Sequence, residues 1–251
     1  MANALHVSID AHTDMERFCD LLHQHYAEEL SWVDALPQVV YDDSCIFAHA
    51  GIMNETDFGS DFREVMTYPH FMLHAPEFTR WVIVGHMPVS EYCHDIARFH
   101  PLIDARRHII SIDGGCVLKS DGQLNALILP KEPGEDFAWL AYDGFPVMVA
   151  REDQAPSPNP INIRWGHSAL EVLSLGEEFS RCRHLESGRE LDILTDYLRQ
   201  GPAGPYCLDS TDYLLPVRAG DRLAIVRRTS RGALAKKDGV TGWYLGKLGP
   251  A

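Results

Sequence analysis

The sequence predicts a chain in two parts, an α/β first half and an all-β second half. The first half combines one long stretch of helical periodicity with short apolar runs typical of buried strands. The second half contains only short strand-like pieces separated by turns rich in Gly and Pro. The character changes after Pro130, so we expect one domain over residues 1–130. Two smaller modules are expected over residues 139–198 and 204–251.

The composition is that of a folded and acidic protein. Of the 251 residues, 45% are hydrophobic, and the formal net charge is -14. So negative a chain is not expected to bind nucleic acid or an anionic membrane. The six cysteines lie far apart without a CxxC pair, which favours buried reduced thiols and a cytoplasmic location. No apolar run approaches the roughly 20 residues of a membrane span, and we find no signal peptide.

The first predicted element is an amphipathic helix from Thr13 to about Leu36. Apolar residues recur there at helical spacing. Thr13 and Glu16 form a capping-box pattern at its start, and Pro37 ends it. Residues 53–80 mix aromatic residues, histidines and prolines, which indicates a loop with short helical segments.

Two apolar strands then end on a histidine beside a small residue. The hairpin QVVYDDSCIFAHAGI turns at Asp42-Asp43 and ends on His49, and the buried strand WVIVGH ends on His86. A strand end holds an imidazole ring in place, and a neighbouring glycine lets other ligands approach. We therefore predict that His49 and His86 lie close together and bind a metal. The alternative for each is an ordinary structural histidine.

Three segments in this order resemble a known family. IFAHAGI, VGHMPV and IISIDGGCVLKSDGQLNALIL are similar to the C-terminal half of the calcineurin-like metallophosphoesterases, in the branch of bacterial serine/threonine phosphatases and diadenosine tetraphosphatases. The resemblance covers roughly residues 13–130 and implies half of that family's α/β sandwich. It implies that His49 and His86 bind one ion of a dinuclear manganese, iron or zinc pair, whose shared hydroxide attacks a phosphate ester.

The same resemblance assigns roles to the segment Ser111–Leu129. The residues of this segment by themselves predict a strand, a Gly-Gly passage, a second strand, an Asp-Gly turn and a third strand. Gly114 and Gly115 would let the chain pass close beside the metal-bearing loops. Asp113 would orient neighbouring backbone through turn chemistry, and no direct catalytic role is expected for it.

The chain also departs from the family pattern. The family's G-D-x-x-D-R and G-N-H-[DE] motifs, which supply the bridging aspartate and the catalytic histidine, have no counterpart. Asp10-Ala11-His12 matches the family's D-x-H in letters, but we predict a turn leading into the helix. Two ligands cannot hold a catalytic dinuclear site. We therefore expect a truncated phosphatase that is inactive by itself and exposes a strand edge and apolar surface.

The second half resembles an SH3-like barrel. The cues are the L-x-V-x-x-G-D-x-L-x-I-V pattern and the sequence Gly242-Trp243-Tyr244. A weak repeat pairs Val172–Leu198 with Leu214–Leu248, which indicates a second, degenerate module, and Gly201–Pro205 is predicted to be a linker. Such barrels can bind an extended peptide in an aromatic groove. The candidates here are Tyr206, Tyr213, Trp243 and Tyr244, with packing inside the barrel as the alternative.

Two functions are therefore expected from the sequence. The first is a hydrolase of the metal-dependent phosphoesterase lineage, acting on a phosphorylated small molecule or protein with two divalent ions. The alternative is a non-catalytic scaffold or peptide-binding protein that acts through SH3-like modules. No nucleic-acid or membrane partner is predicted.

Overall fold

A computed structural model describes residues 1–58, 62–116, 118–132 and 134–251. Strands account for 37% of the residues and helices for 17%, so the fold is mixed and mostly strand. Within these described ranges, no helix is long and apolar enough to cross a membrane.

The helices are short, with one exception of 20 residues. They are α1 (Met15–Asp34), α2 (Phe62–Thr67), α3 (Phe71–His74) and the 3₁₀ helices Ala2–Leu5, Val89–Tyr92 and Thr195–Tyr197. The strands of the first part are β1 (Val39–Tyr41), β2 (Cys45–Ala48), β3 (Trp81–Val84), β4 (Leu102–Asp104), β5 (Ile109–Ser111), β6 (Leu124–Ile128) and β7 (Ala138–Tyr142). Those of the second part are β8 (Val147–Ala150), β9 (Asn162–Ile163), β10 (Leu170–Ser174), β11 (Phe179–His184), β12 (Glu190–Leu194), β13 (Leu198–Gly201), β14 (Gly204–Cys207), β15 (Ser210–Thr211), β16 (Arg222–Thr229), β17 (Gly232–Lys237), β18 (Val240–Tyr244) and β19 (Leu248–Pro250).

The first five strands form one sheet in the order β1-β2-β3-β5-β4. The three inner strands β2, β3 and β5 are parallel, and the outer strands β1 and β4 are antiparallel to their neighbours. Alternate residues of the inner strands pack on opposite faces, as the pleat requires. One face packs on a cluster that includes Phe71 of α3, and the other packs on a cluster that includes Leu127 of β6. Burial on both faces explains why these strands are almost continuously apolar.

Helix α1 differs from its prediction in its start and in its packing. Its N-cap is Asp14, whose carboxylate accepts a hydrogen bond from the backbone N–H of Arg17 at 3.1 Å. Thr13 instead bonds to Asp10 in the preceding turn, so the predicted capping box does not form. No residue of α1 is buried, and Trp32 is 65% exposed. The apolar stripe that predicted an amphipathic helix is therefore at most partly buried against the described residues, as at Phe18, Leu22 and Tyr26.

The segment after β5 also differs from its prediction. Gly115, with φ of 71°, begins a turn in which its carbonyl accepts from the backbone N–H of Lys119 at 2.9 Å. The described residues that follow are in turns, so the predicted second strand is not found there. The predicted third strand is β6, and it pairs with β7 in a hairpin. The described residues between β6 and β7 lie in the loop of that hairpin, so the boundary expected after Pro130 falls inside it.

Part of the apolar surface expected from the sequence is present on this β6–β7 hairpin. Leu124 is 60% exposed, Leu140 is 68% exposed and Tyr142 is 73% exposed. Strand β1, at the edge of the first sheet, has further exposed apolar side chains at Val40 and Tyr41. Both surfaces are of the kind that promotes association between chains.

The second part is built around a sheet in the order β18-β17-β16-β8-β19. Strand β8 lies between β16 and β19, although residues 151–221 separate it from β16 in the chain. That intervening segment forms the three-stranded sheet β10-β11-β12, the hairpin β13–β14 and the pair β9–β15, around a hydrophobic core of its own. Each member of the sequence repeat therefore forms an antiparallel meander, β10–β12 and β16–β18.

These pairings correct two predictions about domain boundaries. Residues 204–251 do not complete a sheet by themselves, because β8 supplies the strand that lies between β16 and β19. Gly201–Pro205 is not a linker, because it contains the turn of the β13–β14 hairpin. Proline and glycine suit a tight turn as well as a linker, and composition alone does not distinguish the two.

We expect the fragment 204–251 to remain unfolded when it is produced alone. Without β8, strands β16 and β19 each lose a row of backbone hydrogen bonds and the core loses Ala150. Nuclear magnetic resonance of the labelled fragment should show poorly dispersed amide signals. The full chain under the same conditions is the control, and well-dispersed signals from the fragment would show that the sheet closes without β8.

Candidate metal site and adjoining groove

The candidate site lies where the three parallel strands end. His49 follows β2, His86 follows β3 by two residues, and Asp113 follows β5 by two residues. Because these strands are parallel and adjacent, their carboxyl ends meet at one edge of the sheet. The backbone N–H of Gly85 donates to the carbonyl of His49 at 2.9 Å and holds the first two of these strand ends together.

The structure brings the two predicted histidines into direct contact. Nε2 of His49 lies 3.1 Å from Nδ1 of His86, and the ring centroids are 5.0 Å apart in an edge-on arrangement. The predicted proximity of the two rings is therefore confirmed. Their role as metal ligands stays a prediction.

The surroundings of His49 favour its neutral form. Loss of water around the ring and the neighbouring His86 lower the pKa of His49 from its ordinary value, while the Asp113 carboxylate acts in the opposite direction. A neutral imidazole is the form that binds metals. The electrostatics at this edge therefore leave a lone pair available on the ring.

The two nitrogens are spaced as ligands of a single ion would be. With metal–nitrogen bonds of about 2.0–2.1 Å, donors 3.1 Å apart would form an angle of about 100° at the ion. The complete donor set, however, is not present. The described ranges contain no group of three or more His, Cys, Asp or Glu residues placed to hold a metal. These residues thus fit two positions on one ion and do not fit a dinuclear centre.

Asp113 has the orienting role predicted from the resemblance. Its Oδ1 accepts from the backbone N–H of Gly115 at 2.8 Å, and its carbonyl accepts from the N–H of Val89 at 2.8 Å. At Gly114 the close approach is not the predicted one. A Cβ on Gly114 would lie 2.2 Å from the carbonyl oxygen of Gln123, so the close approach is to the chain entering β6 and not to the histidine loops.

Other residues singled out from the sequence lie elsewhere or have partners. The side chain of Asp10 accepts from the backbone N–H of His12 at 2.8 Å, which is the predicted turn. His94 contacts Arg164, and the arginines Arg80, Arg106 and Arg107 pair with Glu55, Glu77 and Asp104 respectively. A guanidinium already paired with a carboxylate is a poor candidate for binding phosphate.

A groove of about 550 Å³ adjoins the histidine pair, and His86 is one of its lining residues. Its size lies within the usual range for small-molecule sites. Residues from both parts of the chain form its walls: His86, Met87, Pro88, Glu91, Leu118, Lys119, Ser120, Trp165, Ser168, Tyr206, Cys207, Leu208 and Asp209. The candidate metal edge and the second part of the chain therefore share one cleft.

Of the four aromatic residues predicted to form a peptide groove, one lines this cleft. Tyr206 does so and is 37% exposed. Tyr213 and Tyr244 are buried in the core of the β8-containing sheet, and the indole N–H of Trp243 donates to the carbonyl of Thr211 at 2.8 Å. The four do not share an exposed surface, and two of them fill the core, which was the alternative weighed from the sequence.

An ion cluster that the sequence analysis missed joins the two parts beside this groove. Lys119 pairs with Glu91 from the first part and with Asp209 from the second. These two carboxylates help raise the pKa of Lys119, against the loss of water around the ammonium group. Their separation along the sequence gives no local signal, so only the fold could reveal this cluster.

Comparison of the chain with protein-family models, curated proteins and solved structures finds no match. The resemblance to the metallophosphoesterases accordingly rests on the three sequence segments alone.

The backbone at His86 is strained, which gives a direct test of the local geometry. Its φ of 66° lies in the left-handed region, where a Cβ costs about 1–2 kcal/mol. We expect His86→Gly to be more stable to urea than His86→Ala by about 1 kcal/mol. His49 has no positive φ, so His49→Gly should be no more stable to urea than His49→Ala. Equal stability of the two His86 variants would mean that this backbone is not strained.

Proposed function

We propose that His49 and His86 together bind one divalent metal ion, and that the chain belongs to the lineage of calcineurin-like metallophosphoesterases. The observation that carries the proposal is the 3.1 Å contact between their nitrogens at the carboxyl edge of adjacent parallel strands. Imidazole ligands suit manganese, iron and zinc. A bound ion would supply a Lewis acid that binds an oxygen of a phosphate ester.

The surrounding residues support this proposal in two ways. The neutral form favoured at His49 is the one able to bind a metal. The groove beside His86 provides space for the remainder of a phosphorylated substrate. A phosphorylated small molecule or protein is therefore the proposed substrate class.

We also propose that the second part contains two SH3-like modules. The β19-β8-β16-β17-β18 order is compatible with one small barrel, and the β10–β14 segment with its 3₁₀ helix Thr195–Tyr197 is compatible with another. In this arrangement the second module is inserted between β8 and β16 of the first. The burial of Tyr213 and Tyr244 weakens the alternative that these modules present an aromatic peptide groove.

Metal binding is the direct test of the site. Titration of the purified chain with cobalt, followed by its visible absorption, should show one bound ion per chain. His49→Ala and His86→Ala should each weaken binding about tenfold or more, because each removes one of two protein ligands. His12→Ala is the matched control and should bind as the native chain does. Native binding by the two site variants would overturn the proposed site.

Hydrolysis by the chain alone is expected to be weak or absent. The described residues hold no third ligand beside the histidines, so a second ion has no donors to fix it near the roughly 4 Å separation that in-line displacement uses. An assay of aryl phosphate hydrolysis with added manganese measures this. Robust turnover that is lost in Asp10→Ala or His12→Ala would show that the rejected D-x-H match supplies ligands after all.

A further inference from the structure

The groove beside His86 has the chemistry of a site for an aromatic group. Trp165 is 67% exposed, and its ring stacks on His70 with centroids 6.5 Å apart and planes at 21°. This centroid distance lies within the range of aromatic pairs, so His70 is an aromatic neighbour of the indole ring. Tyr206 lines the same groove, and its ring packs against Gly201, where a Cβ would lie 3.2 Å from it. The side chains of Trp165 and Tyr206 therefore offer aromatic surface to a ligand.

The charges in the groove oppose an extended anionic ligand. The ammonium group of Lys119 is already paired with Glu91 and with Asp209. One cation between two carboxylates leaves a net charge of about -1, and the Lys119 ammonium is not available to bind phosphate. A ligand that carries further phosphate groups into this groove would be repelled, whereas a neutral aromatic group would not.

We propose that the groove selects phosphomonoesters with a neutral aromatic leaving group, such as phosphotyrosine or a phenyl phosphate. This inference rests on the proposed metal site, which would hold the phosphate at His49 and His86 while Trp165 and Tyr206 contact the aromatic ring. Trp165 and Tyr206 come from the second part of the chain, so that part determines which phosphate ester is bound. These two residues are specificity residues and take no part in the proposed metal coordination.

The test measures binding, so it does not depend on turnover. Zinc-loaded protein is titrated calorimetrically with phenylphosphonate and with methylphosphonate, which present the same phosphonate group with and without a ring. We expect phenylphosphonate to bind about tenfold more tightly than methylphosphonate, because a contact between aromatic rings strengthens binding by up to about that factor. Trp165→Ala and Tyr206→Ala should each reduce this preference several-fold without changing the affinity for methylphosphonate. Both side chains are partly exposed, so the variants should fold.

Matched controls separate this inference from the proposed function. Trp139→Ala removes a partly exposed tryptophan on β7 that does not line the groove, and it should retain the full preference. The His86→Ala variant should bind neither phenylphosphonate nor methylphosphonate. Zinc binding with equal affinity for the two phosphonates would overturn the inference and leave the proposed metal site standing. Failure of the chain to bind zinc would overturn both the inference about the groove and the proposed metal site. Competition by phosphotyrosine, free or within a peptide, distinguishes a small-molecule source from a protein source.

Discussion

The parallel pairing of β2, β3 and β5 is the constraint on which the rest of the first part depends. It places three strand ends at one edge, and no local feature of the chain could bring His49 and His86 together without it. The pairing is stabilised by fully buried apolar residues on both faces, among them Ile46 and Ile109 on one face and Ile110 on the other. A change in strand register would move one histidine away from the other. The packing of the apolar strand residues therefore determines the distance between the two imidazole rings.

Much of this part could be predicted because its signals are local. An apolar run that ends on a histidine indicates both a buried strand and its exposed end, and Asp42-Asp43 indicates the turn between β1 and β2. The same holds for Asp113, whose place before two glycines suggested the turn in which its carboxylate accepts from Gly115. The strands and the turns could be inferred from neighbouring residues alone, whereas the orienting role of Asp113 came from the family resemblance.

The predictions that failed depended on contacts between distant residues. The periodicity of α1 correctly predicted a helix, but periodicity does not say whether another element covers the apolar face. Composition suggested a linker at Gly201–Pro205 where the chain makes a hairpin turn. Tyr206 and Tyr244 look alike in sequence, yet one lines a groove and the other lies in a core. Burial and strand partners are tertiary properties, and a single sequence specifies them only through the whole fold.

The position of β8 has a consequence for how the chain acquires its structure during synthesis. Strand β8 is made well before β16, and residues 151–221 must emerge before the two can pair. Closing so long a loop carries an entropic cost that rises with its length. If the β9–β15 segment folds first, its own pairing β15–β9 draws the ends of that loop together and lowers the cost. Residues 151–221 would then fold before the β8-containing sheet. That sheet could form only after this segment had brought β8 and β16 close together.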